Sequence, residues 1–285
     1  MLEVNALVLQ DPTTPPVLLF LALLGLIVGY LSGLLGIGGG LQMVPGLILI
    51  PPVLLGGDLV SASSATGIAA VQALASSSSS TYVHLKNKVM KKRFVLLFGV
   101  PSVLGGYIGS YLSASWSRTV ILSILVLALT ATLILGIRKY VMMLTNKQVK
   151  EVQDFIEDWE TLWSKRSLII PYSLAIGGLS GIVGMGGAVF FVPFMTELLK
   201  MPVRQAMITG TGVVILTSLG TVIGKWQADV IPWALAIGIS AIAFFGGWLG
   251  AKSQAKLKNK HLRLLHLLLV TWAMIETLRK ISETW

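Results

Sequence analysis

The sequence contains no cysteine. Disulfide bridges, thiolate metal sites and cysteine nucleophiles are therefore excluded. Histidine is scarce, with only His84, His261 and His266 present. Charge is scarce too: 12% of residues are charged, against about 25% in a typical soluble domain. No acidic metal cluster, HExxH pair or Walker-type phosphate loop occurs. These absences predict no metal, no cofactor and no catalytic constellation.

What the chain does have is apolar length. Of its 285 residues 54% are hydrophobic, and no charge interrupts residues 12–57. One bilayer crossing takes about 20 residues. That run is too long for one span and must hold two crossings or a re-entrant hairpin. The net charge of +10 sits in short loops between apolar runs. Such a distribution follows the positive-inside rule and argues against nucleic acid, which a separate basic domain would bind. The N-terminal MLEVNALVLQDPTTPP lacks the basic n-region of a cleavable signal peptide.

Inside the apolar runs one stretch occurs twice. Residues 32–45 read SGLLGIGGGLQMVP, and residues 180–193 read SGIVGMGGAVFFVP. At an offset of 148 the identities are Ser32/Ser180, Gly33/Gly181, Gly36/Gly184, Gly38/Gly186, Gly39/Gly187, Val44/Val192 and Pro45/Pro193. Glycine costs a helix about 1 kcal/mol relative to alanine, so each copy predicts a break. Within lipid, unwound backbone survives only where protein or a water-filled cavity covers it. Matched breaks in two halves point to a transporter's binding site.

Other segments follow the same duplication. Thr66-Gly67 aligns with Thr211-Gly212 at an offset of 145, and GGYIGS at 105–110 with GGWLGA at 246–251 at 141. The drift is assigned to extra loop residues in PPVLLGGD at 51–58. The expected domains are a first transmembrane repeat at 17–137, a cytoplasmic linker at 138–166 with an amphipathic helix, and a second repeat at 167–281. Spans are expected near 94–114, 119–137, 230–251 and 262–281, with Ser76 to Ser80 as a close-packing face. The fold class is an all-α bundle of transmembrane helices, each repeat carrying a glycine-rich broken or re-entrant helix.

Loop charge orients the repeats. Loop 84–93 is strongly basic, while its counterpart 225–229 has only Lys225 and Asp229; loop 252–263 is basic, while 113–118 has only Arg118. Corresponding loops then face opposite sides, which predicts inverted repeats. The N-terminus, with Glu3 and Asp11, is expected outside a cell membrane. His84 and His261, in basic loops, are expected to be solvated.

Helix breaks leave backbone N–H groups free, and such groups at a half-helix N-terminus form an anion site. The candidate substrate-binding residues are Gly36, Gly38, Gly39, Gly40, Gln42, Ser63, Ser64 and Thr66 in the first half. Gly184, Gly186, Gly187, Thr209 and Thr211 are their counterparts in the second. Ser32, Ser180 and Gln72 could add donors, and no Lys or Arg is expected inside the motif-bearing spans. A competing use of the glycines is close helix packing alone. An enzyme reading comes from Gly178-Leu179-Ser180-Gly181, the GxSG string of rhomboid proteases. A one-serine active site does not explain the duplication, so no enzyme is expected.

The duplicated G-x-G-G-x-x-x-x-x-P pattern, the ATG and GTG stretches at 65–67 and 210–212, and the GGYIGS/GGWLGA pair together resemble the TauE/SafE family, the sulfite exporters. The resemblance covers about residues 17 to 281. It implies a secondary carrier without ATP that exports sulfite, sulfonates such as sulfoacetate, or related sulfur anions. The partners are thus a small anionic sulfur compound and the lipid bilayer, with no nucleic acid; a homo-oligomer is left open. An anion channel and a non-transporting assembly protein are the alternatives.

Overall fold

The protein is described from a computed structural model. The described residues are 14–54, 59–113, 116, and 159–282 without 185 and 198, together with scattered positions between 120 and 137. Most of the expected linker helix at 138–166 lies outside them. Ten helices are named here: α1 (Pro15–Leu35), α2 (Gly40–Leu54), α3 (Ala62–Lys86), α4 (Lys92–Leu112), α5 (Trp159–Ser164), α6 (Arg166–Val183), α7 (Ala188–Glu197), α8 (Val203–Gln227), α9 (Trp233–Gln254) and α10 (Asn259–Ser282). No strand occurs among the described residues. By length and composition α1, α4, α6, α8 and α9 can each cross a membrane. Helix α3 is as long as α8, but its hydroxyls lower its hydropathy.

Local chemistry sets the helix ends. Pro15 and Pro16 open α1, where fixed φ and a missing N–H cost nothing. Ser61 caps α3 by accepting from the Ser64 N–H at 3.2 Å. Helices α1 and α6 stop at Gly36 and Gly184, both left-handed. Each of these glycines donates its N–H back to a serine carbonyl, Ser32 at 2.8 Å and Ser180 at 2.7 Å.

The helices touch through glycine. A β-carbon added at Gly29 would strike Ala243 of α9, and one at Gly33 would strike Gly247. The same happens between α6 and α4, where Gly177 meets Ser102 and Gly181 meets Gly106. The second pair of contacts is the first with 148 added to one partner and 141 taken from the other. The rule holds again for Gly36 on Met207 and Gly184 on Thr66, and for Gly246 on Leu26 and Gly105 on Leu174. It holds even where the chemistry differs. Gly46 of α2 packs on Leu24 of α1; at the matching place Phe194 of α7 stacks on Tyr172 of α6, with ring centroids 3.7 Å apart.

This correspondence corrects one sequence alignment. The partner of Thr66 at an offset of 141 is Met207, not Thr211, because Thr66 and Met207 occupy matching places against the glycine turns. The ATG/GTG likeness lies one helical turn out of register. The whole drift from 148 to 141 falls between the glycine motifs and α3 or α8, where 51–58 was expected to carry the extra residues.

Contact order gives the helix directions. Gly25, Gly29 and Gly33 of α1 meet Ile239, Ala243 and Gly247 of α9 in turn, so the two run the same way. Helix α4 runs with α8, from Val95 at Gly212 to Tyr107 at Gly224. Helix α3 opposes α8: its start at Gly67 meets Val230 and Ile231 beyond the end of α8, and Gln205 at the start of α8 reaches the Val89 carbonyl beyond α3, at 3.3 Å. They touch midway, at Ala73 and Val214, which are also 141 apart.

One end of the bundle gathers the basic loops. Gln205 holds the 87–91 turn, Arg204 donates to the Leu257 carbonyl, and Arg93 lies over the Trp159 ring. Lys86, Lys88, Lys91, Lys92, Arg93, Lys165, Arg166, Lys252, Lys256 and Lys258 therefore share that end. His84 does not share the expected exposure. Helix α3 runs on to Lys86 and buries His84 in its last turn, while His261 is exposed as expected. The serines of 76–80 do pack closely: Ser80 Oγ donates to the Gly247 carbonyl at 3.1 Å.

A β-carbon at Gly29 has no room, whereas one at Gly238 of α9 meets nothing within 4 Å. Gly29→Ala is expected to destabilise the bundle by about 1–3 kcal/mol through overpacking. Gly238→Ala should instead stabilise by up to about 1 kcal/mol through helix propensity. Thermal unfolding of the two purified variants in one detergent checks the opposite signs.

Candidate functional site

Three glycines in each motif adopt positive φ: Gly36, Gly38 and Gly39 at 69°, 83° and 75°, and Gly184, Gly186 and Gly187 at 78°, 73° and 77°. Side chains other than glycine rarely tolerate that region, so the residue type is dictated by the backbone path. The path is a reversal. Gly39 lies beside Val28 of α1, and Gly46 further on meets Leu24, so α2 returns along α1. The turn carbonyls cap the returning helices. Gly39 O accepts from Gln42 and Met43 at 3.1 and 3.0 Å, and Gly187 O from Phe190 and Phe191 at 3.0 and 3.2 Å. The first N–H groups of α2 and α7 have no acceptor within their own helices.

Each turn is closed by the other half of the chain. Gly36 abuts the backbone of Met207 in α8, and Gly184 abuts Thr66 in α3. A methyl carbon at Gly39 would lie 2.8 Å from Gln72 Nε2. One at Gly186 would lie 3.3 Å from Ser218 Oγ and 3.6 Å from the Ala73 β-carbon. The two turns thus flank the α3–α8 crossing.

Around them lies an unusual set of unpaired polar atoms. Gln42 is buried with neither amide atom bonded; Gln72 Oε1, Ser77 Oγ, Ser180 Oγ, Thr209 Oγ1 and Ser218 Oγ are likewise buried without a protein partner. A buried polar group left unpaired costs about 1–3 kcal/mol, so such clustering calls for an occupant or a use. Ser77 and Ser218 are again 141 apart. The paired members form a short chain, with Gln72 Nε2 at 3.1 Å from Ser76 Oγ and Ser76 Oγ at 2.9 Å from Ser32 Oγ. All of these groups are neutral.

The structure sorts the expected site residues. Gly36, Gly38, Gly39, Gly40, Gly184, Gly186 and Gly187 form or follow the turns, and Gln42 stands in the first turn of α2. Thr66 reaches the turn of the other half, although its hydroxyl donates to the Ser63 carbonyl at 2.7 Å. Thr209 is buried nearby in sequence to Met207, and Thr211 spends its hydroxyl on Ile208 O at 2.7 Å. Ser63 and Ser64 belong to the cap of α3, where both bond the Ser61 hydroxyl. Ser76, Ser77 and Ser218 were assigned no ligand role; their signal was serine in apolar helices one or two turns from the crossing. Lys225, expected in a loop, is buried in the last turn of α8.

Comparison with known proteins shows the family. The model of the Sulfite exporter TauE/SafE family matches residues 21–277. The chain belongs to the TauE/SafE family. Among curated relatives, the probable membrane transporter protein YunE of Bacillus subtilis is 28% identical over 244 residues, covering 84% of this chain and 89% of that protein. A probable membrane transporter protein of Haemophilus influenzae is 26% identical over 254 residues, covering 84% and 90%. No solved structure matches the chain. With five helices able to span a bilayer, this member of the TauE/SafE transporter family is a multi-pass membrane protein.

Removing an unpaired buried hydroxyl relieves its desolvation cost. Ser77→Ala and Ser218→Ala are each expected to leave thermal stability unchanged or raised by about 1 kcal/mol, while lowering transport. Unfolding temperature and flux measured on the same preparations check this split.

Proposed function

We propose that the protein is a secondary transporter that exports small sulfur-containing oxyanions, sulfite or sulfonates such as sulfoacetate, across the cell membrane by alternating access. The observation that carries the reading is the pair of matched glycine turns, each closed by the opposite half and ringed by neutral donors without partners. Backbone N–H groups at the starts of α2 and α7 sit at the positive ends of helix dipoles, where an anion is stabilised. Neutral donors hold an anion without the trap of a buried ion pair, so it can leave again. The TauE/SafE family match supplies the sulfur chemistry of the proposed cargo.

The architecture in this reading is two inverted repeats. The opposed directions of α3 and α8, and the contact pairs shared at offsets of 148 and 141, support it. A parallel pair would run α3 with α8. The return of α2 along α1 supports a re-entrant hairpin in each half. The basic end is the cytoplasmic one by the positive-inside rule. That puts the start of α1, and with it the N-terminus, outside. Rocking one set of helices against the other about the α3–α8 crossing would expose the turns alternately.

Flux of sulfite and sulfoacetate into proteoliposomes, with and without an imposed pH gradient, tests the function. Saturable flux is expected, and Gly39→Leu or Gly187→Leu should abolish it while the protein still reaches the membrane. Unsaturable flux that follows voltage would mean a channel instead, and full activity in both variants would sink the site.

A further inference from the structure

Lys225 is 4% exposed, in the last turn of a helix that crosses the bundle. Its ammonium carries three donors, and one is used, on the neutral hydroxyl of Ser113 at 3.1 Å. No described carboxylate pairs with it. A buried charge without a counter-ion is costly, and proteins keep one where an anion visits or where it is otherwise compensated.

Its surroundings tie it to the second glycine turn. Gly224, the neighbour of Lys225, abuts Ser110, and the Ser110 backbone abuts Gly181 at the end of α6. On the other side Val230 N–H donates to the Lys225 carbonyl at 3.3 Å, and Val230 lies on Gly67, next to the Thr66 that closes Gly184. The matching position 141 residues earlier also holds a buried nitrogen base: His84, 3% exposed, with Nε2 unpaired. Both positions lie 18 residues after the turn-closing residues of their own helices, Thr66 and Met207, at the far ends of α3 and α8.

We propose that Lys225 is an anion-binding residue, the cation that receives the oxyanion at the end of the bundle away from the basic loops. The inference rests on the transport reading and deepens it. Ser113 holds the ammonium when no anion is there. The neutral turn of Gly184 to Gly187 passes the anion to Lys225, and from there the anion leaves. His84 occupies the equivalent place at the basic end, so the two ends of the path differ in chemistry although the backbone is nearly the same.

The test is sulfite transport in proteoliposomes by wild type, Lys225→Met and Lys225→Arg. Lys225→Met is expected to raise the half-saturating sulfite concentration by about tenfold or more, the loss of one charge-assisted hydrogen bond. Lys225→Arg keeps the charge and should stay within about threefold, well inside that tenfold loss. A lysine that only caps the end of α4 would lower the unfolding temperature in both variants without moving half-saturation. That outcome, or wild-type half-saturation in Lys225→Met, overturns the proposal and leaves the transport reading intact. If the wild type moves no sulfur anion, the substrate reading falls. The same proteins are then unfolded thermally in sulfite, sulfate and chloride. Protection of the wild type that Lys225→Met loses upholds the anion site, and no protection by any of the three overturns it. Should Lys225→Met fail to fold, Lys225→Gln takes its place, since it keeps a donor for Ser113 without the charge.

Discussion

Backbone-to-backbone contact between glycine-bearing helices is the constraint on which everything else in this bundle depends. Lipid tails are as apolar as leucine, so helices in a membrane gain little by hiding apolar side chains from lipid. They associate by close packing and by hydrogen bonds. Here Gly29, Gly33, Gly177 and Gly181 let α1 approach α9 and α6 approach α4 until no β-carbon fits between them. That approach fixes the register of each pair. The register in turn places Met207 and Thr66 on the two glycine turns, and Ala73 on Val214.

The glycine turns end helices held by this packing, and buried polar atoms beside them lack partners. Gln42, Gln72, Ser77, Ser180, Thr209 and Ser218 keep unpaired atoms in the interior. A fold selected for stability alone would have paired them or replaced them with alanine. Part of the cost of leaving them unpaired falls beside the two turns, at Gln72, Ser180 and Ser218, where the first N–H groups of α2 and α7 have no acceptor within their own helices. Close packing and the helix break fall within one glycine motif. Gly33 serves contact and Gly39 serves the turn, only six residues apart.

Much of this was legible from sequence because it rests on repetition and residue type. The duplicated motif predicted two breaks, and all six positive-φ glycines among the described residues lie in it. Basic loops predicted a shared end. What sequence could not supply was phase and depth. Thr66 and Thr211 look alike, but the packing aligns Thr66 with Met207, since an α-helix gives no register until a neighbour sets it. Ser63 and Ser64 have the right chemistry for a ligand, and in the structure their hydroxyls bond that of Ser61, the cap of α3. His84 and Lys225 flank loops in the sequence, and only the length of α3 and α8 shows that both are buried.

The claim that joins these parts is inversion: two like halves, oppositely directed, meeting at the α3–α8 crossing. The absence of cysteine makes it directly measurable. Single cysteines at Lys88, Gln227 and Lys256 can be probed with an impermeant thiol reagent in intact cells and after permeabilisation. The account predicts that position 227 labels from outside, while 88 and 256 label only once the membrane is opened. Labelling of 88 and 227 from the same face would contradict it.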